Sequence, residues 1–219
     1  MSEGGTTPSY GEIVTAKELL HTTRLHVIIR PRGGDFLYTP LEVRRMISDI
    51  ELCKRVGVDG VVFGCLTPEG DIDMRVNAAL MEHAEGMSVT FHRAFDRCRD
   101  PFQALEQLID LNFDRILTSG QQPNAEKGMN LLRQLNEQAQ HRIELLAGCG
   151  VNEHNILRIA EYTHIREFHF SARERVHSKM LFSNSAVYMG TPDRDDMYTD
   201  TTSEQKVRNT IAALIDTNI

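Results

Sequence analysis

The stretch that decides the fold is LHVIIRPRGGDF, residues 25 to 36. Its apolar half is rich in β-branched residues and favours a buried strand, and the proline that follows cannot continue a ladder. The strand therefore delivers a charged loop in which Arg30 and Arg32 carry donors suited to a carboxylate or a phosphate. An alternative is a solvated turn whose arginines pair with Asp35, because turns rich in Gly and Pro are common.

Length and composition indicate one sizeable soluble domain, with 219 residues of which 41% are apolar and 25% charged. The net charge of −7 argues against non-specific nucleic-acid binding and against attraction to an anionic membrane, so we expect neither partner. The first residues have no basic or apolar region typical of an export signal, and no run of 18 apolar residues occurs. The four cysteines are widely spaced, which favours a reducing cytosolic location.

Six short apolar runs are predicted to be strands, at residues 25–30, 60–66, 88–94, 115–120, 143–148 and 167–172. The segments between them have helical periodicity and helix-start signals. Thr39, Pro40 and Glu42 form a predicted capping box that opens a helix ending at Gly57, and Asp100 opens another. The other predicted helix starts are Thr7, Asp73, Asn124, Asn152 and either Thr202 or Ser203. The order is α(βα)6, which is typical of parallel βαβ units.

Polar residues fall on one face of the predicted strands. Thr90 shares a face with His92, and His169 shares one with Ser171, while phenylalanines occupy the opposite faces. This alternation is expected when one face lines the lumen of a barrel. We therefore predict an α/β fold of the TIM type, whose functional groups lie at the C-terminal ends of the strands.

Several ordered motifs resemble those of the CutC copper-homeostasis family, and they span about 150 residues. The motifs are IIRPRGGDF at 28–36, TFHRAFD at 90–96, LTSGQ at 117–121, AGCGV at 147–151 and EFHFSAR at 167–173. The resemblance implies a (β/α)8 barrel, a cytosolic or nuclear location, copper(I) binding, and self-association into dimers or tetramers.

The family barrel begins with a strand, a helix and a second strand before a loop that resembles residues 2–9 here. We therefore expect residues 1–219 to form a single CutC-like domain that lacks the first β-α-β elements and has about six strands. The resemblance places a cysteine implicated in copper binding on the absent second strand, which lowers the copper affinity expected. Unpaired sheet edges are a liability in water, so we expect association to cover them. A sheet that closes imperfectly is one alternative, and a shortened isoform or gene model is another.

Three residues at one strand end are candidate catalytic groups: His92, Arg93 and Asp96. An imidazole that titrates near neutral pH, a fixed positive charge and a carboxylate can act together in proton transfer. The alternative is a lumen histidine that is hydrogen-bonded for structure, beside a loop ion pair.

A small anion is the predicted ligand of the same rim. The candidate anion-binding residues are Arg30, Arg32, Asp35, Thr118, Ser119, Gly148, Gly150 and Ser171. The last three follow the two final strands, where TIM barrels often bind phosphate through backbone N–H groups. A short G-x-G also serves tight turns, which is the alternative.

Copper(I) prefers soft thiolate ligands, so Cys65 and Cys149, near strand ends, are the candidate metal ligands, with His169 as a third. The alternative is that these three residues pack in the protein interior and bind no metal, which is the commoner role of such residues. The main functional hypothesis is a copper(I)-handling protein of the CutC family. The alternatives are a barrel enzyme acting on a small anionic or phosphorylated substrate and an inactive shortened form that modulates full-length subunits.

Overall fold

Six parallel strands, paired in chain order, form a curled half-barrel in the computed structural model, which describes residues 4–184, 186–187 and 197–215. The strands are β1 (His26–Ile28), β2 (Gly60–Phe63), β3 (Ser88–Phe91), β4 (Arg115–Thr118), β5 (Glu144–Gly148) and β6 (Glu167–His169). Val61 pairs with Val27 on one side and with Val89 on the other, which fixes the register of the first three strands. The predicted incomplete barrel with six strands is confirmed. Residues 1–3, part of the predicted N-terminal loop, lie outside the described residues.

Seven helices are present in the described part of the chain: α1 (Tyr10–Leu19), α2 (Pro40–Val56), α3 (Met74–His83), α4 (Pro101–Asp110), α5 (Met129–Ala139), α6 (Ile156–Thr163) and α7 (Glu204–Ile215). The capping box of α2 is confirmed, because Thr39 and Glu42 each accept a hydrogen bond from the other's backbone N–H. Gly57 ends the helix with a φ of 78°, a left-handed conformation that glycine adopts without strain. The predicted caps Asp73 and Asp100 are also confirmed.

Two predicted helix starts lie too early in the chain. Asn124 accepts a hydrogen bond from the backbone of Lys127 in a turn, and α5 begins only at Met129. Asn152 likewise accepts from the N–H of His154, and the N-cap of α6 is Asn155. Asparagine stabilises such turns as readily as it caps helices, so the residue type alone does not distinguish the two.

The predicted cap of α1 is corrected from Thr7 to Ser9, which forms a capping box with Glu12. Thr7 instead bonds to the backbone of Arg30, two residues after β1. Its N–H donates to the carbonyl of Arg30 and its Oγ1 accepts from the N–H of Arg30, both at 2.9 Å. The chain before α1 thus satisfies the backbone groups of the residue at which the loop after β1 begins.

The main core lies between the sheet and the helices. Ile29, Phe63 and Phe91 are completely buried against Met46 and Ile50 of α2 and the apolar stripes of the other helices. Phe113 packs edge-on against Phe63 and Phe91, with ring centroids 5.4 Å apart in both pairs. This packing holds the strand ends, and the loops that follow them, in fixed positions.

An antiparallel hairpin after β6 is the one pair of strands that the sequence did not predict. It consists of β7 (Arg173–His177) and β8 (Tyr198–Thr202), and its residues are exposed. The sixth predicted strand ends earlier than expected, and Ala172 adopts a φ of 45°, which breaks the extended conformation. Within the described ranges, no helix has the length and apolar character needed to cross a membrane.

Candidate functional site

Arg30, at the end of β1, turns inward and is only 7% exposed. Its guanidinium donates to the carbonyls of Gly5 at 3.2 Å and Gly34 at 2.9 Å, and it stacks on the ring of Phe36 at 5.0 Å. The guanidinium therefore joins the N-terminal segment to the loop after β1. It also places a buried positive charge at the C-terminal end of the sheet.

Arg32 has a different role, because its donors are committed to its own loop. Nε donates to Glu42 at 2.7 Å and Nη2 donates to Asp35 at 2.9 Å, while further bonds reach the carbonyls of Gly33 and Leu37. The alternative interpretation of this stretch, a turn whose arginines pair with Asp35, therefore describes Arg32 but not Arg30.

His92, directly after β3, is 3% exposed, and its ring packs 4.9 Å from that of Phe36. The backbone N–H of Ala94 donates to Nδ1 at 3.3 Å, so the proton of the neutral ring is on Nε2. Burial, helped by the charge of Arg30, lowers the pKa of His92 to about 3. The expectation of an imidazole that titrates near neutral pH is therefore corrected: His92 is neutral at physiological pH.

Asp96 is the centre of a hydrogen-bond cluster that joins the ends of β3 and β4. Its carboxylate accepts from Nε of Arg93 and from Oγ1 of Thr118, both at 2.6 Å, and from the backbone N–H groups of Ser119 and Gln121. So many donors fix the carboxylate and, through it, the guanidinium of Arg93. Arg93 remains 42% exposed, so this cation is accessible at the rim.

Thr118 and Ser119 are completely buried and bonded to neighbouring groups. The hydroxyl of Thr118 also accepts from the N–H of Gly120 at 2.9 Å, and that of Ser119 donates to the carbonyl of Gln122 at 2.6 Å. Of the two, only Ser119 contacts the exposed cation, as it accepts from Nη2 of Arg93 at 3.1 Å. These hydroxyls mainly shape the loop.

The candidate phosphate loop after β5 is a tight turn. Gly148 is packed so closely that an added Cβ would lie 2.5 Å from Cδ1 of Leu117. The carbonyl of Gly150 accepts from the side chains of Asn152 and Asn155, and Gly150 has a φ of 74°. Ser171 is exposed after β6. The glycines thus have structural roles that do not depend on an anion.

The candidate metal ligands are not assembled into a site. Cys65 is buried, its backbone is held by the side chain of Asn77, and burial strongly raises the pKa of its thiol. Burial also raises the pKa of Cys53 to about 11 and that of Cys98 to about 12. Across the described residues, no three His, Cys, Asp or Glu side chains are placed to hold one metal ion.

Cys149 differs from the other cysteines because it is only partly buried. Its thiol donates to the carbonyl of Pro123 at 3.2 Å, and its φ of 77° is uncommon for a residue with a side chain. His169 is exposed on the adjacent strand, where it pairs in register with Gly148. The surrounding protein and the charge of Arg93 lower the pKa of His169.

The structure thus brings the predicted residues into three groups. Arg30 and His92 form the first, and Arg93, Asp96, Thr118 and Ser119 form the second. The third lies at the ends of β5 and β6. Two contributors were not predicted, Tyr38 beside Arg30 and Gln121 beside Asp96. Tyr38 directly precedes the helix cap at Thr39, and this position at the end of a charged loop was the signal available.

The sequence is similar to those of known proteins. A family model described as CutC family matches residues 1–174. A Bacteroides thetaiotaomicron protein named as a family protein CutC is 62% identical over 213 residues, which is 97% of this chain and 86% of the relative. A Porphyromonas gingivalis protein of the same name is 46% identical over 213 residues, 97% of this chain and 86% of the relative.

Solved structures agree with the fold. The crystal structure of a Streptococcus agalactiae protein that carries the name of a copper homeostasis protein CutC has a TM-score of 0.75 and 36% identity. That match covers 77% of this chain and 83% of the other. A protein solved as an aldolase has a TM-score of 0.59 at 14% identity and covers 73% of both chains, a likeness of fold alone.

Proposed function

Because this chain belongs to the CutC family, we propose that it takes part in copper homeostasis by binding and handling copper(I). Copper(I) is the cargo in this proposal. The proposal is supported mainly by Cys149, whose thiol is only partly buried at the rim of the half-barrel. A thiolate is a soft ligand of the kind that copper(I) prefers. A thiol must lose its proton to bind metal, and burial opposes this at the other three cysteines.

His169 is the proposed second ligand of copper(I). It lies on β6, adjacent to the strand that delivers Cys149, and it is exposed. The pKa of its imidazole is lowered by desolvation and by Arg93, so the ring is neutral and has a lone pair for a metal at physiological pH. A two-ligand site of one thiolate and one imidazole suits copper(I).

Anaerobic titration of the full chain with copper(I) against a competing chelator tests this proposal. We expect about one equivalent to be held by the protein, and we expect Cys149→Ser to weaken binding at least about tenfold. Cys53→Ser is the matched control, because Cys53 is buried in α2. If the protein and Cys149→Ser bound copper(I) with equal affinity, Cys149 would not be a copper ligand.

A second candidate function is to bind a small anionic or phosphorylated compound, or to act on it as an enzyme. The observation that favours it is the exposed guanidinium of Arg93, which Asp96 and Ser119 hold at the C-terminal end of β3. Functional groups of TIM-type barrels lie at this end. In this function His92, being neutral, donates a hydrogen bond instead of acting as a base.

Thermal shift assays with inorganic phosphate and small carboxylates test the second candidate, in the presence of a chelator that removes copper. We expect Arg93→Gln to abolish the stabilisation by the anion. Arg97→Gln is the control, because Arg97 is the exposed last residue of the short 3-10 helix Arg93–Arg97, which begins at Arg93. No stabilisation by any anion, or equal loss in both variants, would contradict this function.

Self-association and a cytosolic or nuclear location complete the proposal. Support for association comes from the two ends of the central sheet, β1 and β6, each of which pairs with another strand of that sheet on one side. We expect sedimentation velocity of the full chain to give a dimer or a tetramer. A stable monomer over the micromolar range would contradict this part.

A further inference from the structure

The antiparallel strands β7 and β8 form a two-stranded ribbon that is separate from the central sheet. They pair in register from Arg173 opposite Thr202 to His177 opposite Tyr198. A ribbon of two strands is only marginally stable in water unless one of its faces packs against another element. Every residue of both strands is exposed, so the described part of the chain supplies no such packing.

One face of the ribbon is stabilised by its own side chains. Because side chains alternate along a strand, this face carries Arg173, Arg175 and His177 of β7 with Tyr198 and Asp200 of β8. The guanidinium of Arg175 lies 4.3 Å from the ring centroid of Tyr198, and the ring of His177 packs edge-on against the same ring at 4.9 Å. The guanidinium of Arg173 lies 4.0 Å from the carboxylate of Asp200. These contacts need no partner.

The opposite face consists mainly of β-branched residues. It carries Val176 of β7 and Thr199 and Thr201 of β8, with Glu174 at one end, and Val176 lies directly opposite Thr199. Side chains of this type favour a pleated surface that is half buried, yet all of them are exposed here. This face therefore has the composition of a packed sheet face but is uncovered in the single chain.

Three large apolar side chains follow β7 and extend the uncovered surface. Met180, Leu181 and Phe182 are all exposed, and Leu181 is completely so. They lie close to the ribbon, because the N–H of Ser178 donates to the carbonyl of Met197 and continues the pairing beyond β7. Contiguous exposed apolar side chains of this kind mark sites of protein–protein contact.

The charge of the chain favours a second copy as the partner at this surface. Each copy carries a net charge of −7, so two copies repel each other over most of their surfaces. Residues 173–179 are a local exception, with Arg173, Arg175 and Lys179 against Glu174. The two arginines lie on the other face of the ribbon, so they flank a contact made by the β-branched face and can attract acidic side chains of the second copy.

We propose that the β-branched face of the ribbon and residues 180–182 form the surface through which two copies of this chain associate, ribbon against ribbon across a two-fold axis. Such an axis brings the same patch of both subunits together, so the flat face of Val176 and Thr199 is complementary to its own copy. The two faces pack as the layers of a β-sandwich do. This surface specifies the self-association proposed above and rests on it.

Sedimentation velocity of the full chain, with glutamate placed on either face of β8, tests the surface. Thr199→Glu puts a charge on the β-branched face. Thr202→Glu is the matched control, because it puts the same charge on the opposite face, where Arg173 lies directly across the ribbon. We expect Thr199→Glu to raise the dissociation constant of the assembly at least about tenfold and to halve its mass, and Thr202→Glu to associate as the unsubstituted protein does.

Leu181→Asp is a second variant, and it leaves the hydrogen bonds of the ribbon in place. Because Leu181 is completely exposed, its loss removes no packing from the single chain. We therefore expect the melting temperature of the dilute, dissociated protein to stay unchanged while the assembly dissociates at higher concentration. Leu41→Asp is the control, since Leu41 is an exposed residue of the first turn of α2.

Two outcomes would overturn this surface while self-association stands. One is an assembly that survives Thr199→Glu or Leu181→Asp, and the other is equal dissociation by Thr199→Glu and Thr202→Glu. A chain that is monomeric over the micromolar range before any substitution would instead contradict self-association itself, and a different protein would then be the occupant of this face. The failures of the two proposals are therefore distinguishable.

Discussion

The carboxylate of Asp96 accepts a hydrogen bond from the backbone N–H of Ser119, at 2.9 Å. Asp96 follows β3 and Ser119 follows β4, so this pair joins the ends of two adjacent strands. Asp96 also holds Arg93, the exposed cation of the rim. The geometry of the candidate anion site therefore depends on one carboxylate.

The first prediction concerns this carboxylate. Asp96→Asn replaces one acceptor oxygen with an amide that opposes the donors of Ser119 and Gln121, so we expect a loss of about 2–4 kcal/mol of unfolding free energy. Urea denaturation measures it. Asp110→Asn, at an exposed position of α4, is the control and should change stability by less than ~0.5 kcal/mol. A tolerated Asp96→Asn would show that the cluster adds little to the fold.

The second prediction is a pH dependence due to His92. Its pKa falls from an ordinary value of 6.5 to about 3 on folding, so the unfolded chain binds the proton first. Stability is therefore lost as the pH falls from about 6.5 towards 3, and about 2–3 kcal/mol of it is lost by pH 4.5.

Urea denaturation of the protein and of His92→Gln, each at pH 7.5 and 4.5, isolates this contribution from that of the carboxyl groups. We expect the difference in unfolding free energy between the two proteins to shift by about 2–3 kcal/mol in favour of His92→Gln at the lower pH. A difference that stays the same at both pH values would mean that His92 titrates normally.

The third prediction concerns the contact between Thr7 and Arg30. Thr7→Val removes the Oγ1 atom that accepts from the N–H of Arg30, while it keeps the shape of the side chain. We expect a loss of about 1 kcal/mol and faster hydrogen exchange at the amide of Arg30. Thr6→Val, at an exposed neighbouring position, should leave that amide unchanged. Equal exchange in both variants would indicate that Thr7 does not protect the amide of Arg30.

The fourth prediction separates strain from metal binding at Cys149. Its φ of 77° is unfavourable for a residue with a side chain and suits glycine. We expect Cys149→Gly to match or exceed the stability of the protein by up to about 1 kcal/mol, while copper(I) affinity falls. Destabilisation of the variant in urea denaturation would show that the bond from Sγ to the carbonyl of Pro123 outweighs the strain.

The strands and the helix starts at Thr39, Asp73 and Asp100 were predictable because their signals are local. Short runs that contain apolar residues form the six strands, and α2 begins after the capping box of Thr39 and Glu42. The starts of α5 and α6 were placed wrongly at Asn124 and Asn152, because asparagine bonds to nearby backbone groups both in turns and at helix caps. The antiparallel pair of β7 and β8 consists of exposed, mostly polar residues, which carry no hydrophobic periodicity to reveal it.

The candidate site was predictable in position and less so in chemistry. Strand-end loops located Arg30, His92 and Asp96 at one rim. Their roles depend on burial and partners that only the folded chain defines: Arg30 turns inward while Arg32 is used within its loop, and His92 has a pKa near 3.

X-ray absorption at the copper edge of the full chain, loaded with copper(I) and washed with a competing chelator, tests the copper proposal most directly. We predict that about one copper(I) per chain is retained, with one sulfur and one nitrogen neighbour. We also predict that the sulfur signal disappears in Cys149→Ser and the nitrogen signal in His169→Ala. Loss of all copper to the chelator, or an identical spectrum in both variants, would contradict the account.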